Sequence, residues 1–221
     1  MTIVRLARLA VPAALLISLA ACEDPAKDAP KATVSPAKTA EAALPTKPAE
    51  ATGGSETLAV DAAQSSVGFV GSKVTGKHEG KFQKMTGSIT LVGGKAEGGK
   101  VNFEVEIGSL KTDAEKLDGH LMSPDFFDAA KFPKATFTSS SIKAGGERGA
   151  THTVSGELDL HGVKKTVSFP ATIAITPDAA TGTSEFSINR KDFGIAYAGK
   201  TDDLIRDEVL LKLSLKAPRK K

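Results

Sequence analysis

One cysteine, Cys22, stands among 221 residues. A disulfide needs two cysteines and a thiolate zinc site needs several, so neither an internal disulfide framework nor a Cys-rich metal site is open to this chain. An excess of one charge is also missing: 29 Lys and Arg face 26 Asp and Glu, a formal +3. Two of the positives, Arg5 and Arg8, lie in a leader expected to be removed, and three minus two leaves +1. Such a balance gives no basic footprint for nucleic acid. The common catalytic signatures are lacking too. His78, His120, His152 and His161 never fall at the i, i+4 spacing of a helical zinc motif, no glycine-rich phosphate loop opens a helix, and no nucleophile elbow occurs. The carboxylate pairs Asp202–Asp203 and Glu104–Glu106 sit in a polar loop and on an outward strand face, where solvation keeps them ordinary. The chain therefore reads as a non-enzyme, with no catalytic residue, metal ligand or cofactor expected.

What is present is an ordinary globular balance, 40% hydrophobic and 25% charged, divided into three pieces. Residues 1–21 have a short basic start, about a dozen apolar residues and a small-residue end. That is signal-peptide order, and the apolar run is too short for a comfortable membrane span of about 20 residues. Leu19-Ala20-Ala21-Cys22 resembles the bacterial lipobox, which implies cleavage before Cys22 and lipidation of its sulfur. The expected location is the bacterial envelope, lipid-anchored and facing the periplasm. Glu23, rather than aspartate, after the cysteine leans toward the outer membrane over the inner. Residues 22–55 carry Pro25, Pro30, Pro36, Pro45 and Pro48 and almost no large apolar side chain, so they are expected to be a disordered, lipid-anchored linker.

Residues 56–221 form the one core-bearing domain, and its periodicity is two. Val101, Phe103, Val105 and Ile107 alternate with polar residues, and the same parity runs through Leu158 and Leu160, Val167 to Ile175, Phe186 and Ile188, and Val209 to Leu215. One apolar and one wet face specify an all-β, antiparallel sheet. Turn signals fall at Gly93-Gly94, Gly98-Gly99, Gly145-Gly146, His161-Gly162 and Pro177-Asp178. From Thr112 to Ala130 the alternation stops. There Asp113–Leu117 and Ser123–Asp128 suggest short helical turns, with Ser123 as an N-cap before Pro124. About eight strands and one helical excursion result, and such a sheet must fold into a sandwich or close into a barrel.

Four phrases then carry a resemblance. They are Leu58–Asp61 with Ser66–Gly76 and Phe82–Ile89; His120-Leu121-Met122-Ser123-Pro124-Asp125-Phe126-Phe127-Asp128 with Lys131-Phe132-Pro133; Ser155–Lys165; and Asn189-Arg190-Lys191-Asp192-Phe193-Gly194-Ile195. Together, over about residues 58–216, they resemble the YceI-like family of envelope proteins that bind lipids or polyisoprenoids. The resemblance implies a lipocalin-like antiparallel β-barrel with a hollow interior holding a long isoprenoid or fatty chain.

On parity, the wall of that hollow is expected to include Phe69, Phe103, Val105, Ile107, Phe137, Leu158, Phe169, Ile173, Phe186, Ile188, Leu211 and Leu213, with Phe126 and Phe127 at a lid or mouth. Arg190 shares the inward parity of Phe186 and Ile188, where a guanidinium could meet a phosphate head group or a structural carboxylate such as Asp192 or Asp128. Lys73, Lys77, His78 and Lys81 make a mild basic cluster near the first hairpin. The expected partners are a hydrophobic lipid ligand and, through Cys22, a membrane. Self-association into a homodimer is left open. The alternative to a lipid carrier is an interaction or stress-response module in which the barrel is a filled scaffold.

Overall fold

The computed structural model describes residues 24–37 and 54–219; the leader, Cys22 and the middle of the linker lie outside them. The strands are β1 (Thr33–Pro36), β2 (Ser55–Ala59), β3 (Ser66–Ser72), β4 (Lys77–Phe82), β5 (Met85–Val92), β6 (Lys95–Glu106), β7 (Leu110–Thr112), β8 (Lys134–Ala144), β9 (His152–Leu160), β10 (Val163–Ile175), β11 (Ala179–Asn189), β12 (Gly199–Lys200), β13 (Asp203–Leu204) and β14 (Glu208–Pro218), with one α-helix, α1 (Glu115–Met122). Twelve of the strands make one antiparallel sheet, ordered β2-β5-β6-β8-β9-β10-β11-β14-β3-β4-β7 with β1 laid on β10.

The order becomes simple once three bends are recognised. β2 runs into β3 through a turn at Ala62–Gln64, β4 continues into β5 past Gln83 and Lys84, and β6 continues into β7 through Ile107–Ser109. Each bent strand pairs with its neighbour on both sides of the bend: β3 with β4, β2 with β5, β4 with β7 and β5 with β6. Counting each bent strand once leaves about eight long strands in up-and-down order, and β14 on β3 closes the ring. A closed ring leaves no long edge to aggregate, which is why a bent first strand serving both seams is favoured.

The two-residue turns Gly93-Gly94 and His161-Gly162 have φ of +57° and +75°, and +54° and +71°. This matches the handed twist of a tight hairpin. Gly98-Gly99, expected as a turn, lies inside β6 instead, opposite a register shift between Thr90 and Val92; a Cβ on Gly99 would stand 2.1 Å from the Thr90 carbonyl oxygen. The helical excursion differs in its details. The helix occupies Glu115–Met122, and Ser123 ends it rather than starting the next one. Ser123 Oγ still receives the Asp125 N–H, but Pro124–Phe127 make only a turn. What fixes α1 is Asp118, buried at its centre, whose carboxylate accepts from the Thr112 N–H and hydroxyl at 2.7 Å each and meets Lys111 at 3.2 Å.

Residues 24–37, assigned above to a disordered linker, are ordered on the barrel. β1 pairs antiparallel with β10, Val34 opposite Val167, while the Ala32 N–H donates to Ser187 O and the Ser187 N–H to Pro30 O. Proline content and missing bulk made this stretch look unstructured. A short strand needs neither when two other strands supply its hydrogen-bond partners.

Candidate functional site

The barrel encloses a cavity of about 390 Å³, apolar over most of its lining. Its floor is a run of phenylalanines from four strands. Phe103 stacks on Phe137 at 5.4 Å between ring centroids, Phe137 meets Phe169 at 5.5 Å, and Phe169 lies parallel to Phe186 at 4.2 Å. Glycine makes room for this layer: a Cβ on Gly156 would stand 2.6 Å from the Phe137 ring and 2.4 Å from the Thr138 carbonyl oxygen. Beyond the floor a second void of about 50 Å³ is lined by Ile142, Val154 and Ile173 among others.

Of the residues expected in the wall, Phe69, Phe103, Val105, Phe137, Leu158, Phe169, Phe186, Ile188, Leu211 and Leu213 line the main cavity, as do Phe126, Phe127 and Arg190. Two do not. Ile107 is 1% exposed and belongs to the solid core beside Met85 and Val105, because β6 ends at Glu106 and the chain turns there. Ile173 keeps the inward parity but sits below the phenylalanine floor, in the small void. Cys22 lies outside the described residues. Val67, Leu160, Val167 and Val209 also line the cavity, and extending the same parity by one step would have found each. Phe82, Leu117, Leu121, Ile195, Tyr197 and Ile205 line it from strand ends, helix and loop, where no two-residue period exists to reveal them.

The mouth is built from α1, the turn after it, and residues 195–206. Phe69, Phe82 and Phe127 form an aromatic triad with centroids 6.1 to 6.2 Å apart, Phe127 meeting the other two edge-on. His120, Phe126 and Tyr197 form another at 5.0 to 5.2 Å, so the loop carrying Tyr197 docks on the helix carrying His120. β12 and β13 make a small hairpin in that loop, tied to the end of β3 by the Lys73–Asp203 ion pair and by the Arg206 N–H donating to Ser72 O. Hydrogen bonds from Lys73 and from Thr75 hold the Asp203 carboxyl below the usual carboxylate range.

Arg190 points inward as its parity requires, 4% exposed, but its donors are spent on its own chain. Nη1 donates to Ile195 O at 2.8 Å, Nε to Arg206 O at 3.1 Å, and Nη2 to Ile205 O at 3.4 Å and Asp207 Oδ1 at 3.1 Å. Its carboxylate partner is thus Asp207, neither Asp192 nor Asp128. Burial pulls the guanidinium pKa down and Asp207 pulls it back up. The residue clamps both ends of the mouth loop. Of the basic cluster, Lys73 and His78 border the cavity and are engaged by Asp203 and Asp113. Among the described residues no three His, Cys, Asp or Glu side chains converge as a metal site would need.

The YceI-like domain family matches residues 58–217. A UPF0312 protein of Pseudomonas savastanoi pv. phaseolicola is 36% identical over 134 residues, covering 57% of this chain and 68% of the relative. Among solved structures, Burkholderia cenocepacia BcnA superposes with a TM-score of 0.62 at 28% identity, covering 72% of this chain and 99% of BcnA. A polyisoprenoid binding domain from Saccharophagus degradans superposes with a TM-score of 0.58 at 20% identity, covering 73% and 98%, a likeness of fold.

Proposed function

The chain belongs to the YceI-like family, and on that premise we propose that it is a non-enzymatic carrier that holds the apolar tail of an amphiphile, a polyisoprenoid, isoprenoid quinone or fatty chain, inside its barrel. The observation that carries this is the enclosed apolar cavity with a phenylalanine floor and a latched mouth. Its volume lies in the range of about 300–1,000 Å³ common for small-molecule sites. Each buried methylene contributes about 0.8 kcal/mol, so ten outweigh one hydrogen bond of about 1 kcal/mol to a head group. Affinity therefore comes from the tail. That a barrel of the same fold is a polyisoprenoid binding domain supports the choice of tail.

The same reading makes the protein an envelope lipoprotein anchored through Cys22 and facing the periplasm, the outer membrane favoured by Glu23. One residue, Glu23, stands between Cys22 and Asp24, and Asp24 is paired with Arg206 beside the mouth. At no more than about 3.6 Å per residue, two residue-to-residue steps of chain are all that would separate an anchored Cys22 from Asp24. The barrel then sits against the bilayer instead of tens of ångströms above it.

Organic extraction of the purified full chain followed by mass spectrometry tests the binding. The expected result is a reproducible long-chain lipid; an empty barrel that also takes up no isoprenoid quinone or fatty amide removes the proposal. For the anchor, Cys22→Ser should abolish palmitate labelling and detergent partitioning, and a variant that keeps both refutes lipidation.

A further inference from the structure

The barrel wall has one seam that its own long strands do not close. β10 and β11 pair only from Thr172–Thr183 to Ile175–Ala180. The ladder stops at Pro170, which has no N–H to donate. Toward the mouth the two strands part, and residues 30–36 fill the gap, bonded to Ser187 of β11 on one side and to Ser168–Lys165 of β10 on the other. Ala32, 4% exposed, and Val34 face inward there and pack in the cluster that includes Val167, Phe186 and Ile188, which are cavity-wall residues. A piece of wall is thus supplied by a segment that precedes the family match at residue 58.

This piece of the enclosure is lightly held. β1 is four residues long, and its inward side chains are small. Its outer ties are the ion pairs Lys31–Glu208, with Lys31 65% exposed, and Asp24–Arg206. The first pair is exposed and adds little, while the second is half-buried. The mouth, by contrast, is clamped by the four hydrogen bonds of Arg190 and two aromatic triads. Local opening draws on weakly held contiguous units, and this one packs against Val167, Phe186 and Ile188, which line the lipid-sized void.

We propose that residues 30–36 are a removable wall strand, and that the lipid tail enters and leaves sideways through the β10–β11 seam when this strand lifts. The inference rests on the lipid-binding reading above and adds the route. Its test is a reversible lock. In the full chain with Cys22→Ser, so that no other thiol competes, Ser35→Cys with Thr166→Cys places a disulfide across a paired β1–β10 position. The parallel lock at the mouth is Val74→Cys with Leu204→Cys, where the Val74 N–H donates to Leu204 O.

Uptake of cis-parinaric acid, followed by its fluorescence rise, should slow about tenfold or more in the oxidised seam lock and recover with reductant, equilibrium binding being unchanged, while the mouth lock has little effect. Ala32→Asp, which loosens the strand without a cross-link, should accelerate uptake and release. Slowing by the mouth lock alone, or equal rates in the oxidised and reduced seam lock, overturns the lateral route while leaving the binding proposal intact. Absence of uptake in every form, wild type included, removes both.

Discussion

Arg190 shows how far a single residue could be read and where the reading stopped. Alternation with Phe186 and Ile188 placed its side chain inward, and it is inward. Its partners could not be foreseen, because three of them are backbone carbonyls of residues 195–206, which carry no signature in side-chain pattern. A guanidinium so engaged is a structural clamp, so Arg190→Gln should cost about 2–3 kcal/mol, the scale of hydrogen bonds to a charged group. Urea denaturation measures it, and an unchanged midpoint would refute the clamp. Gly156 carries a similar demand of opposite character. Gly156→Ala forces the Phe137 ring and the Thr138 carbonyl apart, and overpacking of this kind costs about 1–3 kcal/mol. A drop in melting temperature with altered aromatic circular dichroism is the expected outcome.

Among the elements, strands were more legible than their bends. Period two marks β6, β9, β10, β11 and β14, since one face must meet the interior and the other water. The places where β2, β4 and β6 break in two are set by closure of the ring, a demand made by residues distant in sequence. The helix shows the same division: loss of alternation after Thr112 located it, but its start follows from the buried contact between Asp118 and Thr112. The Thr112 hydroxyl, with smaller help from its N–H and Lys111, holds the Asp118 carboxyl below the ordinary range. A carboxyl depressed on folding stabilises the fold above its unfolded pKa, and that contribution is lost as the pH falls through the depressed value. α1 should therefore stay docked at neutral pH and loosen only below about pH 4. Tyr197 emission, reporting the ring contact with His120, follows the docking; Asp118→Asn should weaken it at neutral pH and flatten the acid transition. An equally sharp transition in that variant would assign the effect to another group.

For the molecule as a whole, an all-β barrel of about eight long strands was readable, and so was most of the cavity wall. What composition concealed was the contribution of residues 24–37, a Pro- and Ala-rich stretch whose order depends on two strands far along the chain. A chain starting at residue 54 should therefore fold into a leakier barrel. Exposing Val167 and Ile188 and losing the burial of Ala26, Ala32 and Val34 should lower stability by roughly 2–4 kcal/mol and raise binding of an anionic naphthalene dye. Equal stability and dye binding in both lengths would show the wall to be complete without β1.

The wall strand also sets an order of events in time. Val34 precedes its partner Val167 by 133 residues, and Pro30 and Ala32 precede their partner Ser187 by 157 and 155. Local hairpins close early, whereas contacts of long sequence separation wait for the entropy of the intervening loop to be overcome. The expected order is that the local hairpins form while the β10–β11 side is still open. On the lipid-binding proposal, a tail that enters during that interval would be enclosed by the docking of residues 30–36, and the first ligand of each molecule would be one present where the chain folds.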